Sequence, residues 1–342
     1  MALEMASFHE KNLASTPIRD LGLTIEGTRL EPIVDEFKKE LERAGIQRLR
    51  PRFYLSTEWG VAFDTVAIGI PFYLARPDLT QLHAERHGHV EGFSPGDILR
   101  YMRHEMGHVI EYGYRLYDDS EWVNLFGSIT QPYVEEFRPA PFSRRYVRHL
   151  PGWYAQKHPD EDWAETFAVW MTPGVDWKSE YADRPAALAK LNYCDRTMSR
   201  LHETDPLVTS SEPDEEVSQL SYSLDQFYRD TTVEDEYPVG LDGALKAIFE
   251  DLGVPEDTTS TAPRLPASAL IRRLERALMA NVYRWTGHFP ERTRILVRHL
   301  AERAEKLNQV YPADREVPAT VALTTLVTGL AMNHVHRGSY LP

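Results

Sequence analysis

The chain has 342 residues, of which 42% are hydrophobic and 26% charged, with a formal net charge of -14. That length supports a sizeable core and more than one packed unit, while the negative charge disfavours nucleic acid or anionic lipid as a general partner. No apolar run of about 18 residues is present to span a membrane, and a single cysteine, Cys194, excludes both an intrachain disulfide and a cysteine-built zinc site.

The opening stretch, MALEMASFHEKN, lacks the basic and apolar segments of a secretion signal, so a reducing, cytoplasmic setting is expected. Residues 1–20 read as weakly ordered. The spacing of Ile33, Phe37 and Leu41, with Pro32 early and Gly45 at the end, predicts a helix over 31–45. PRFYLSTEWG and AFDTVAIGIPFYLAR, rich in aromatic and β-branched residues, predict two or three strands, whose edge within 52–72 would seat an extended substrate. Residues 77–93 read as a mobile surface loop carrying His83, His87 and His89.

A strong helix start follows. Ser94 suits the N-cap, Pro95 the first position, and Asp97 falls three residues after the cap. Residues 133–158 look irregular. HPDEDWAETFAVWMTPG predicts a second short helix, with acids in its first turn and Pro173-Gly174 to stop it. RPAALAKLNYCDRTMSRLHE continues as an amphipathic helix with Cys194 on its apolar stripe as a core thiol. Residues 203–265 are acidic and read as a linker with short ordered pieces. From 266 onward helices are expected, one along Leu270, Leu274, Leu278 and Val282, one along Leu296, Leu300 and Ala304, and a third over about 318–338. The arginines of 264–303 read as a solvated helix face.

The chemistry centres on YMRHEMGHVIEYGY, residues 101–114. His104 and His108 are four apart, so on a helix they lie one above the other and can reach one ion. Glu105 is rotated about 100° from His104 and can flank the metal and hold a water. Leu99, Met102, Met106 and Val109 fall on the opposite face as an anchor. Gly107 weakens a helix, which implies that another element approaches closely there.

A catalytic zinc needs three protein ligands and an open position. Glu165, 57 residues beyond His108, is the expected third ligand. On its helix Trp163, Phe167 and Trp170 form the predicted buried stripe, while Glu161, Asp162 and Glu165 face the other way together. Asp160, Glu161 and Asp162 are explained by the helix macrodipole, whereas Glu165 in the second turn is not. Asp162 is expected to steer a histidine N–H from behind the ligands.

RHEMGHVIEY paired with HPDEDWAETFAVWMTP resembles the gluzincin class of zinc metallopeptidases, and most resembles a bacterial zinc-binding metallopeptidase family. The pairing is also distantly similar to the catalytic domain of anthrax lethal factor and to the glucose-regulatory peptidases of enteric bacteria. The resemblance implies His104, His108 and Glu165 as zinc ligands and Glu105 as general base. It departs from the thermolysin pattern, because position 169 is Val, and the chain has no cysteines for the N-terminal zinc ribbon that some relatives carry.

The expected fold is α+β: a zincin-like domain over 21–202 with a small mixed sheet and the HExxH helix, the linker over 203–265, and a mainly α-helical region over 266–342. The expected function is zinc-dependent peptide hydrolysis, with a peptide or protein substrate and no nucleic acid or membrane partner. Tyr154 is the favoured oxyanion donor, ahead of His158 and Tyr146. The rivals are a zinc-dependent amidase or isopeptidase and a non-catalytic zincin-like module, the last disfavoured by an intact Glu105.

Overall fold

The computed structural model describes residues 13–87, 90–133, 140, 143–231, 240–251, 262–288 and 290–341. The chain divides into two compact units, Met1–Thr232 and Val233–Pro342. The boundary falls inside the acidic stretch, whose described part from 203 to 231 belongs to the first unit. Among the described residues no helix is long and apolar enough to cross a membrane.

The first unit is α+β. Helix α1 (Leu30–Arg43) buries Ile33, Val34, Phe37 and Leu41. Strands β1 (Arg52–Ser56) and β2 (Ala67–Pro71) pair in parallel, with Tyr54 opposite Gly69. The chain between them passes to the other edge of β2, where Gly69 N donates to the Gly60 carbonyl. The strand pair has the lower of the two strand numbers expected, and part of the free edge of β2 is taken by Gly60.

Residues expected as a loop form helix α2 (Pro77–His87) instead. Pro77 and Asp78 are start signals, and Leu79, Thr80 and His83 turn inward. His83 stacks on the Tyr73 ring at 3.6 Å. His89 lies outside the described residues, as does 1–12 of the segment expected to be weakly ordered.

Helix α3 (Pro95–Tyr114) starts as its sequence demands. Asp97 N donates to Ser94 Oγ and Ser94 N donates back to Asp97, a reciprocal cap beside Pro95. From His104 to Gly113 every residue of α3 is buried, so this is a core helix. Arg103 ties it to α1 through two bonds to Glu40, at 2.7 and 2.8 Å. Helix α4 (Ser120–Phe126) follows, then α5 (Pro159–Met171), α6 (Pro185–Leu201) and α7 (Leu224–Thr231). Cys194 on α6 is fully buried.

The close approach expected at Gly107 is the contact between α3 and α5. A Cβ on Gly107 would stand 2.7 Å from Ala164 Cα, so only glycine lets the two backbones meet. Trp163 Nε1 donates to the Gly107 carbonyl at 2.8 Å. Together these fix the height of α5 against α3.

The second unit contains α8 (Leu241–Ile248), α9 (Ala267–Thr286), α10 (Pro290–Lys306) and α11 (Glu316–Arg337). A short antiparallel sheet, absent from the expectation of helices alone, runs in the order β3 (Glu250–Asp251), β5 (Gln309–Pro312), β4 (Arg264–Pro266). Strands of two to four residues are too brief to show a period-two pattern. Leu270, Leu278, Leu296, Leu300, Leu323 and Val327 fill the core. The arginines of this unit pair locally: Arg303 with Asp242, Arg298 with Glu275, and Arg273 with Glu316.

Candidate metal centre

His104 and His108 are positioned by α3, and the first two turns of α5 face them. Glu161 and Glu165 are four apart on α5 and flank His104 from two sides. His104 Nδ1 donates to Glu165 Oε1 at 3.0 Å. His108 Nδ1 donates to Asp160 Oδ1 at 2.6 Å, and Tyr112 Oη donates to the other Asp160 oxygen at 2.6 Å. With both Nδ1 atoms committed to carboxylates, each ring would offer its inward-facing Nε2 lone pair to a metal on losing the Nε2 proton.

The two Nε2 atoms are 3.3 Å apart. Glu161 Oε2 lies 3.0 Å from that of His104 and 3.4 Å from that of His108. Ligands about 2.0–2.1 Å from a tetrahedral zinc stand about 3.4 Å from one another. The donor types and their mutual spacing therefore fit a zinc ion. His104, His108 and Glu161, all buried, form a group able to hold a metal.

Glu165 does not face this point. Its carboxylate accepts from His104 Nδ1 and from the backbone N–H groups of His149 and Leu150, at 2.6 and 2.8 Å to Oε2. Asp162 does not reach a histidine either; it pairs with the buried Lys190 of α6. In this geometry Glu161 stands nearest the two Nε2 atoms, where Glu165 was expected, and Glu165 and Asp160 stand at the Nδ1 atoms, where Asp162 was expected. The physical reason is the height of α5, set by the Gly107–Ala164 contact and the Trp163 bond.

The electrostatics match a cation site. Burial alone would lower the His104 imidazole, but hydrogen bonds to Glu161 and Glu165 override it and raise it to about 9. Burial would likewise lower His108, but Asp160 and Glu161 hold it well above its ordinary value. Burial would raise Glu161, but its bonds to the two histidines hold it well below the usual carboxylate range. Three carboxylates around two imidazoles thus draw positive charge to one point.

Glu105 is 5% exposed and makes no hydrogen bond to a described residue. Burial raises its carboxyl, with His104 and His108 pulling the other way. Of the three expected oxyanion donors, Tyr154, His158 and Tyr146, Tyr154 faces the centre. Its ring meets His104 edge-on at 5.6 Å. Tyr146 instead packs under Lys190, His158 caps α5, and the His149 ring donates to the Arg100 carbonyl.

Tyr133 was not foreseen. Its Oη donates to Glu161 Oε1 at 2.7 Å and lies 3.4 Å from Tyr154 Oη. Nothing in the local sequence marks it. A second group, His108, Glu111 and Asp160, gathers on the Nδ1 side of His108. There Asp160 is already engaged by His108 and Tyr112. Glu111, fully buried, is pushed well above the carboxylate range by burial and by Asp160.

Residues 95–250 match the model of a family described as "Putative zinc-binding metallo-peptidase". Over those residues, which are less than half of the chain, it is similar to that family. The matched segment takes in α3 and α5, and with them both histidines and every carboxylate of the centre. No curated protein and no solved structure matched the chain.

Proposed function

We propose that the protein is a zinc-dependent peptidase in which His104, His108 and Glu161 hold the metal and Glu105 is the general base. The observation that carries this reading is the meeting of His104 Nε2, His108 Nε2 and Glu161 Oε2, with the buried Glu105 carboxylate following His104 and making no hydrogen bond among the described residues. A purely structural zinc needs no such base. Glu161 takes the ligand role expected of Glu165, and the peptidase assignment rests on the family.

Zinc bound here supplies Lewis acidity, which acidifies a water and polarises a carbonyl. Glu165 and Asp160 keep the two imidazoles in the tautomer that offers Nε2. Glu105 accepts a proton from the attacking water and passes it to the leaving amine; its raised affinity for protons suits both steps. Tyr154 Oη donates to the carbonyl oxygen as negative charge builds on it. Tyr133 holds the outer oxygen of Glu161, which fixes that carboxylate's direction.

The test is metal content by elemental mass spectrometry on protein purified without added metal, followed by a peptide-library screen. Wild type and Glu105→Gln are expected to carry about one zinc per chain, and Glu161→Ala to lose it. Glu105→Gln is expected to be inert in the screen. Zinc retained by Glu161→Ala but lost by Glu165→Ala would restore the original ligand set. A folded wild type that takes up no zinc would end the reading.

A further inference from the structure

Glu91 lies in the turn that leads into α3 and has no part in the centre described so far. Three hydrogen bonds fix the backbone of this turn. Trp59 Nε1 donates to the Glu91 carbonyl at 3.0 Å, and Arg29 Nη2 donates to the carbonyls of Gly92 and Phe93 at 3.2 and 3.0 Å. Gly92 turns the chain with φ +98°, a conformation that L side chains rarely adopt. The Trp59 ring stacks on that of Tyr101, with centroids 5.6 Å apart and planes within 10° of parallel. Tyr101 and Glu105 are four apart on α3 and share a face. Trp59 thus brings Glu91 to the face of α3 that bears Glu105.

Two carboxylates meet there without partners. Neither Glu91 nor Glu105 makes a hydrogen bond or an ion pair to a described residue. Glu105 is buried, and Glu91 is half-buried, which leaves it open to a ligand. Burial pushes the Glu91 carboxyl up to about 7, and among the charges Glu105 adds most to this, ahead of Glu58. The cations that act against it, His104 and Lys157, are held elsewhere. His104 lies between Glu161 and Glu165, and Lys157 sits over the Tyr133 ring at 4.4 Å. A carboxylate removed from water is costly to leave without a counter-charge.

We propose that Glu91 is a substrate-binding residue which, beside Glu105, takes up a positively charged nitrogen of the peptide. That nitrogen belongs to a free amino terminus or to a lysine or arginine side chain near the bond that is cut. A metal ion is the poorer occupant, because Glu91 joins none of the groups of three donors able to hold one among the described residues. The proposal deepens the peptidase reading given above and rests on it for the claim that the bound peptide is cut.

The experiment reads binding and cleavage separately on the full chain. The probes are alanine-based peptide amides of one length: one with a free amino terminus, a set N-acetylated with one lysine at successive positions, one N-acetylated and neutral, and one N-acetylated with a glutamate. Calorimetry on the metal-free protein, at an ionic strength that screens its general negative charge, gives binding without cleavage. A cationic probe is expected to bind about tenfold or more tighter than the neutral one, as a charge-assisted hydrogen bond implies, and the glutamate probe weakest. Preference for the free-amine probe would name the amino terminus as the source, and preference for a lysine probe the side chain. Glu91→Gln is expected to bring the cationic probes to the level of the neutral one, with an unchanged melting profile to show it folded. Equal affinity of wild type for cationic and neutral probes would overturn the proposal whether or not the variant folds. A preference that survives in folded Glu91→Gln would overturn it too. Zinc-loaded wild type that cuts peptides without regard to their charge would also overturn it and leave the peptidase reading standing. Charge-selective binding through Glu91, with no peptide cut by the zinc-loaded chain, would instead refute the peptidase reading and leave the cation site.

Discussion

The two units bury different kinds of polar group. In the first, Glu105, Glu111, Asp162, Glu165 and Lys190 all lie in the interior with His104 and His108. In the second, the buried polar groups among the described residues are Ser268, Thr286, His288, Thr293 and Gln309, none of them a carboxylate or an amine. Burying a charge is costly unless it is paired and hydrogen-bonded, so one chain has two solutions. The second unit is held by leucine and valine packing with its ions outside. The first carries an internal network of charges, and such networks concentrate at functional sites.

The sharpest way to break this contrast is to unpair one of those charges. Lys190→Met leaves Asp162 buried without its cation, and urea unfolding of the first unit is expected to lose about 3–5 kcal/mol. A matched change in the second unit is Leu323→Ala, at a fully buried position. It should cost about 2–5 kcal/mol through a cavity and leave zinc content unchanged, because no residue of the centre lies in that unit.

Glu165→Gln probes the network more gently. The amide still fills the space but holds His104 less firmly, so zinc affinity in a chelator competition should fall roughly 10- to 100-fold. A complete loss of metal would move Glu165 into the ligand set.

The smallest effect concerns pH. Burial pushes the His149 imidazole down to about 4, below an unfolded value of about 6.5. The folded state then binds fewer protons than the unfolded state across that window. The stability contribution is full above about pH 6.5 and is lost as pH falls toward 4. His149→Gln, which keeps a donor for the Arg100 carbonyl, should flatten this part of the profile of melting temperature against pH. An unchanged slope would show that His149 is not its source.

The sequence by itself determined helix α3. Ser94, Pro95 and Asp97 set its start, the four-residue spacing set the pair His104 and His108, and Gly107 announced a close neighbour, because each of these is a local property of a helix. The same local logic located α5 and its acids. It could not choose among Glu161, Glu165, Asp160 and Asp162, since residues on a helix start differ only in height and rotation. Helix-dipole reasoning even pointed away from Glu161. The contact of Ala164 with Gly107, and the Trp163 bond to the Gly107 carbonyl, set that height. Tyr133, the two N–H groups that clamp Glu165, and the meeting of Glu91 with Glu105 were likewise decided only by tertiary structure. They join residues distant in sequence through contacts that no spacing encodes.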